Sequence, residues 1–301
     1  MSFKNALKNL VAHFSIVWSL LLYFVIFAAV ITGLSLPFLM PIADAFADAG
    51  VFDSIASSFK ALFTGGGWDG LWDGLYGVYY SVRDVFANNS RIASLTMGFL
   101  IAVLVVLFRF FLGLYEIPLT TVIDGQMSAD CRFGFGGKFF STLSVSVRYS
   151  FIKMLYTSLF DAVIVLALYG VGKGMGVSIG LPFVVTLVLI LLGSLRFSLV
   201  ASFAPLVASG ECGILVGFAR SCKICFRHIG SIYSTYFISF LLLLAVGVLI
   251  ILLTFGVGAI FVLPFCACYV GYLNVTQYYN KSGKRYYVDR AVFAPPYDNT
   301  I

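Results

Sequence analysis

Three ionisable residues lie deep inside apolar segments of this sequence. Arg109 and Arg196 each stand nine residues before a proline that marks the end of an apolar segment, Pro118 and Pro205 respectively, and Asp161 stands nine residues into another segment. Nine residues of α-helix rise about 13 Å, so the spacing predicts that the three charges lie at one depth. An ionisable group at such depth in a membrane costs at least about 2.5–3.5 kcal/mol unless it is paired or hydrated.

This cluster has two interpretations, and the sequence leaves both open. In the first, Asp161 pairs with one arginine and pins the helices together, while the spare arginine extends toward the membrane interface. In the second, the three residues line a polar cavity open to the cytosol. Its surplus of positive charge would favour an anion, such as a phospholipid head group or a phosphorylated solute, because guanidinium groups match the geometry of phosphate oxygens.

The familiar catalytic and metal-binding patterns are missing from the sequence. There is no H-E-x-x-H, no G-x-x-x-x-G-K-[ST] and no G-x-S-x-G. Cys222 and Cys225 form a C-x-x-C, but a metal site needs a second pair of ligands at compatible spacing. We predict no metal, no cofactor and no enzymatic activity. In the enzyme alternative, the carboxylates to test are Glu116, Asp124 and Asp161.

The composition indicates which solvent surrounds most side chains. Of the 301 residues, 61% are hydrophobic and 11% are charged, whereas soluble domains are about 45–50% apolar and about 25% charged. A soluble chain of this length has no core large enough to hide so much apolar surface. We therefore predict an all-α, polytopic membrane protein, and we attribute the net charge of +6 to topology rather than to nucleic-acid binding.

Six segments are long and apolar enough to cross about 30 Å of hydrocarbon. We predict one transmembrane domain over residues 1–280, followed by a basic cytosolic tail over residues 281–301. The predicted spans are residues 15–40, 93–115, 152–171, 179–203, 232–254 and 257–279.

The distribution of Lys and Arg predicts the orientation, because cytosolic segments carry an excess of these residues. Of the 19 Lys and Arg residues, four lie on one side, two are the arginines inside spans, and the other 13 share the opposite side. This bias, with an even number of spans, predicts a plasma-membrane protein with both termini in the cytosol. The 13 are Lys4, Lys8, Arg132, Lys138, Arg148, Lys153, Arg220, Lys223, Arg227, Lys281, Lys284, Arg285 and Arg290.

The longest loop, residues 41–92, is predicted to lie outside and to contain an amphipathic stretch. Within it, Trp68, Trp72 and Tyr76 recur at intervals of four residues, which places them on one face if the segment is helical. Trp and Tyr favour the membrane interface because each ring is apolar with one polar edge. We interpret the three as interfacial anchors; the alternative is an aromatic surface that binds a ligand or a sugar.

The sequence also contains an internal repeat. The ends of spans two and four share the pattern R-F-x-L-x5-P-L, each followed by a glycine that we predict to form a turn, Gly125 and Gly210. Amphipathic stretches of similar spacing precede spans one, three and five, at residues 3–13, 139–149 and 218–228. We therefore predict three hairpin-like units, each preceded by a cytosolic interfacial helix.

This organisation resembles uncharacterised multi-pass membrane protein families of Gram-positive bacteria. It is also similar to the membrane domain that is fused to some bacterial glycerophosphodiester phosphodiesterases, in which an interfacial helix precedes paired spans. The resemblance covers residues 93–255 and rests on architecture rather than on a motif. The phosphodiesterase activity is not implied, because the catalytic domain of those enzymes has no counterpart in this sequence.

Two functions of different class fit these features. The first is a membrane subunit of an envelope or transport assembly, whose interfacial helices contact a cytosolic or membrane partner protein. The second is a stand-alone carrier or lipid-handling protein that uses the cavity of Arg109, Arg196 and Asp161. Membrane lipids are expected partners in both cases, and the sequence ranks the first slightly ahead.

Overall fold

The computed structural model describes residues 2–64, 67–129, 131, 133–176, 180–288 and 291–293. Within them, six helices are long and apolar enough to cross a membrane, which confirms the all-α, multi-pass class predicted from the sequence. These helices are Ser15–Asp48, Ser90–Ala129, Phe135–Met175, Leu181–Ala208, Ile229–Leu253 and Ala259–Ser282.

The elements follow one another with short connections. Breaks in the hydrogen-bonding pattern divide the second and fourth spans into shorter helices. The second span also contains a π-helix over Leu100–Phe108. In chain order they are α1 (Ser2–Ala12), α2 (Ser15–Asp48), α3 (Val51–Phe63), α4 (Gly67–Asn88), α5 (Ser90–Phe99), α6 (Arg109–Leu114), α7 (Glu116–Ala129), α8 (Phe135–Met175), α9 (Leu181–Val200), α10 (Phe203–Ala208), α11 (Ile214–Arg227), α12 (Ile229–Leu253), α13 (Ala259–Ser282), β1 (Tyr286–Val288) and β2 (Ala291–Phe293).

The chain divides into two compact units. One consists of Met1–Val25 and Phe110–Ile301, and the other of Ile26–Arg109. Helix α2 continues through Pro37 and Pro41 to Asp48, eight residues beyond the predicted end of span one at residue 40. Proline is tolerated in membrane helices where neighbouring groups compensate for the missing hydrogen bond.

The predicted outer loop is a pair of packed helices rather than an irregular segment. Helices α3 and α4 lie against each other along small residues. A Cβ on Gly74 would collide with Ser58 Oγ and lie 2.9 Å from Ser58 Cα, whereas a Cβ on Gly77 would meet nothing within 4 Å. The absence of a side chain at Gly74 therefore allows the close approach of the two helices.

In the first unit, the helices that contain the three predicted interfacial stretches, α1, α8 and α11, each pack against another helix of the unit. Helix α8 contacts α7, α11 contacts α10 and α9, and α1 contacts α13, while α7, α10 and α13 contact one another. The contacts thus form a closed cycle of three, as expected for repeated units. The buried core follows the same segments and includes Leu119, Ile123, Leu206, Tyr272 and Leu273.

The repeat is visible in the structure of the exits of spans two and four. A break at Tyr115 precedes α7, and a break at Ala201–Ser202 precedes α10; each new helix carries its proline within the first turn, where a missing N–H is tolerated. The glycine prediction is right for Gly210, which has a φ of 72°. It is wrong for Gly125, which lies inside α7.

The middle unit departs from the predicted arrangement. Helix α8 runs without interruption over 41 residues, about 60 Å at the helical rise, so the stretch 139–149 is continuous with span three and is not a separate helix. No proline occurs within α8 and its glycines lie near its two ends, so no residue breaks it. Separate short helices, α1 and α11, do precede spans one and five.

The start of the predicted tail is part of the folded unit. After Gly283, with a φ of 66°, β1 and β2 form an antiparallel hairpin. Asn5 Nδ2 donates to the hydroxyl of Tyr286 at 2.9 Å, and Asn9 Nδ2 donates to the carbonyl of Tyr287 at 3.0 Å. The hairpin therefore packs against α1, on the other side of the predicted boundary at residue 280. Residues 294–301 lie outside the described residues.

Candidate functional site

Two of the three predicted deep charges form an ion pair. Arg196 on α9 places Nε 2.6 Å from Asp161 Oδ1 on α8, and its Nη2 donates to Oδ2 at 3.4 Å. The side chains are 20% and 30% exposed, respectively. This geometry joins α8 to α9 and agrees with the interpretation of the pair as a pin between helices.

Arg109, the third predicted residue, is the last residue of the second unit and begins α6. Arg109 is partly buried and has at least one interaction partner in the structure. The convergence of Arg109 with the ion pair stays a prediction.

A second deep ion pair was missed by the sequence analysis. Glu116, in the first turn of α7, accepts a hydrogen bond from the Tyr149 hydroxyl at 2.7 Å and forms an ion pair with Lys153. Both partners lie on α8, so the contact joins α7 to α8. The sequence analysis counted Lys153 as a flanking cation because it lies at the predicted start of span three.

The predicted aromatic anchors lie on one helix, as their spacing requires. Trp68, Trp72 and Tyr76 all belong to α4. Trp68 is 70% exposed, and the other two are partly buried. Their helical register is confirmed, whereas their role as interfacial anchors stays a prediction.

A cavity lined by several charged residues lies elsewhere, between α11 and the C-terminal end of α13. Its volume is about 500 Å³. Helix α11 turns Gly217, Ser221 and Cys225 inward at intervals of four residues, and Ser221 Oγ donates to the carbonyl of Leu199 at 2.9 Å. The lining residues are Leu206, Glu211, Val216, Ala219, Arg220, Lys223, Ile224, Arg227, His228, Tyr278, Lys281 and Ser282.

Four cations and one carboxylate line this basic pocket. Arg220, Lys223 and Arg227 follow one edge of α11, and Lys281 comes from α13, where its Nζ lies 3.3 Å from Ser231 Oγ. Among the described residues, Lys223, Arg227 and Lys281 have no carboxylate within ion-pair distance. The pocket therefore keeps a surplus of positive charge.

Glu211 is the carboxylate of the basic pocket, and its charge is largely compensated. It forms an ion pair with Lys284 and accepts a hydrogen bond from Tyr278, and its Oε2 lies 4.0 Å from Arg220 Nη1. Burial raises the pKa of Glu211, but the hydrogen bonds from Lys284 and Tyr278 outweigh this effect and hold its pKa below the usual value. Glu211 is therefore ionised at neutral pH.

The cysteines show no metal-binding arrangement. No group of three or more His, Cys, Asp or Glu residues is suitably placed for a metal ion within the described part of the chain. Burial raises the pKa of the Cys222 thiol, and burial together with the nearby Cys222 raises that of Cys225 to about 11. Both thiols are therefore protonated at neutral pH and are poor nucleophiles and poor metal ligands.

One sequence signal pointed to Glu211 but was not used. When the two R-F-x-L-x5-P-L patterns are aligned, Asp124 and Glu211 fall at the same position, six residues after the proline. The structure pairs each with a tyrosine of α13: Tyr279 donates to Asp124 at 2.6 Å, and Tyr278 donates to Glu211.

Comparisons with protein-family models, with curated protein sequences and with solved structures find no match for this chain.

Proposed function

We propose that this protein is a lipid-handling protein of the plasma membrane that binds a phosphate-bearing anion in the basic pocket. The observation that carries the proposal is the surplus of cations in that pocket, three of which have no carboxylate partner among the described residues. Phosphate oxygens are strong acceptors for Arg and Lys. The proposed ligand is an anion, as expected from the sequence, but its proposed site is the basic pocket rather than the region of Arg196 and Asp161.

The apolar lining of the pocket supports an amphiphilic ligand. Leu206, Val216 and Ile224 lie beside the cations, and Val216 is 62% exposed. A lipid could place its phosphate on the cations and its chains along the apolar side. Basic pockets next to membrane helices are suited to anionic head groups.

The proposed orientation follows from charge. Both termini and the basic pocket belong to the cation-rich side of the topology, which we assign to the cytosol by the positive-inside rule. Anionic lipids of the cytosolic leaflet would then lie beside α11.

The test is lipid binding to the purified protein in a neutral detergent. The probes are dioctanoyl phosphatidylglycerol and dioctanoyl phosphatidic acid, with dioctanoyl phosphatidylcholine as the zwitterionic comparison and glycerol phosphate as a soluble phosphate. We expect wild-type protein to bind the anionic probes, more weakly as salt increases. The triple variant R220Q/K223Q/R227Q should bind them at least about tenfold more weakly, since each exposed charge contributes up to about 1 kcal/mol.

A matched variant controls for the loss of net charge. K4Q/K8Q/K138Q removes three cations outside the pocket lining and should keep wild-type affinity. Equal losses in the two variants would overturn the proposal. Binding of glycerol phosphate as tight as that of the lipids would identify a phosphorylated solute rather than a lipid. A stoichiometric partner in mild detergent, with no binding of any probe, would favour the assembly subunit.

A further inference from the structure

Resting on the proposed function, we infer that Glu211 shifts the selectivity of the basic pocket toward a phosphodiester lipid with a hydroxyl-bearing head group and away from a phosphomonoester lipid.

The two oxygens of Glu211 differ in their surroundings. Oε1 accepts from both Lys284 and Tyr278. Oε2 has only Arg220, at 4.0 Å, and no hydrogen-bond donor within the described residues. Since each carboxylate oxygen has two lone pairs, Oε2 can accept a hydrogen bond from a ligand hydroxyl.

The spacing of the cations fits the two parts of such a head group. Arg220 and Arg227 are seven residues apart on α11, about 10 Å along the helix. A phosphate bound by Lys223 and Arg227 would leave a glycerol-sized group to extend toward Arg220 and Glu211. Its hydroxyl would then lie near Oε2.

The difference in charge between the two ligands determines how strongly Glu211 disfavours a phosphomonoester. A phosphodiester carries one negative charge, whereas a phosphomonoester carries about 1.5 to 2 at neutral pH. Repulsion by the Glu211 carboxylate scales with that charge, so it weakens binding of the phosphomonoester more. Lys284 offsets part of this repulsion because it pairs with Glu211 through Oε1, so its removal should strengthen the repulsion.

The experiment compares two probes in two variants. Dissociation constants of dioctanoyl phosphatidylglycerol and dioctanoyl phosphatidic acid are measured for wild-type protein and for Glu211→Gln. Because the cations of the pocket attract both lipids, the contribution of Glu211 is measured by the ratio of the two constants in each protein, with wild type as the reference. In Glu211→Gln the ratio of the two constants should shift by about threefold toward phosphatidic acid, the size expected for one partly exposed charge.

Glu116→Gln is the matched control. Glu116 also pairs with one lysine and one tyrosine, but it lies outside the pocket lining, so the ratio should stay that of wild type. If Glu211→Gln fails to fold, Lys284→Met provides the second test. It removes a cation and leaves the carboxylate unpaired, so the ratio should shift toward phosphatidylglycerol.

An unchanged ratio in Glu211→Gln, or the same change in Glu116→Gln, would overturn the selectivity. Under either outcome, a loss of both anionic lipids in R220Q/K223Q/R227Q would still support the proposed function. Failure of wild-type protein to bind either lipid would overturn both.

Discussion

The ion pair between Arg196 and Asp161 allows the two interpretations of the deep charges to be separated quantitatively. The perturbation is a double-mutant cycle of Asp161→Asn and Arg196→Met. Breaking a fully buried pair costs about 3–5 kcal/mol, and an exposed pair contributes about 0–1 kcal/mol. With side chains 20% and 30% exposed and the closest atoms 2.6 Å apart, we expect a coupling energy of about 1–2 kcal/mol.

The assay is the free energy of unfolding in mixed detergent micelles. Each single variant should lose about 2 kcal/mol, because it removes the oppositely charged group that lies 2.6 Å from the remaining charge. The double variant should lose less than the sum of the two. The control is Lys173→Met, because Lys173 is exposed near the C-terminal end of α8, the helix that carries Asp161. This variant should change the free energy of unfolding by less than about 0.5 kcal/mol.

The same variants distinguish a pin between helices from a binding cavity. The folded double variant should keep wild-type affinity for phosphatidylglycerol, because neither residue lines the basic pocket. Additivity within about 0.5 kcal/mol would refute the reasoning about the pair. A loss of lipid affinity with unchanged stability would restore the cavity interpretation.

Two further predictions concern other parts of the chain. Gly74→Leu should destabilise the α3–α4 hairpin, because the leucine side chain would collide with Ser58 on the facing helix. Gly77→Leu is the control and should be tolerated, because Gly77 faces open space. Hydrogen exchange over α3 and α4 should be faster in the first variant than in the second. The lowered pKa of Glu211 stabilises the folded state above the usual value of 4.5, and this contribution is lost as pH falls through the folded-state pKa. Acid unfolding of Glu211→Gln should therefore depend less on pH below about 4.5 than that of wild type, and a parallel pH dependence of the two proteins would contradict this.

Sequence alone predicted the features that depend on hydrophobic length. The six long apolar helices follow from the apolar runs of the sequence, whereas the division into three units stays a prediction. Prediction from the sequence failed for features that depend on which helices and strands contact one another. The lack of proline within α8 allows an unbroken helix but does not require one, and nothing local signals that the segment at Tyr286 returns to α1.

The prediction of the site was limited in the same way, because the sequence does not show which distant segments contact one another. Equal depth brought Arg196 and Asp161 together correctly, because depth follows from spacing within a helix. The basic pocket required knowing that α11 and the end of α13 face each other, and these segments lie about 50 residues apart in the sequence. Hydropathy assigns such residues to flanks of spans and treats their charge only as a topology signal.

The surroundings of α1, α8 and α11 differ in how their polar and charged side chains are compensated among the described residues. Where α1 meets α13, asparagines of α1 are already bound by the C-terminal hairpin. Where α8 meets α7, Lys153 is neutralised by Glu116. Where α11 approaches α13, three cations of α11 face one carboxylate, and Lys284 already occupies that carboxylate. Duplicated packing can support the fold at all three positions, so a charge left uncompensated at one of them is not required for packing and is free to bind a ligand.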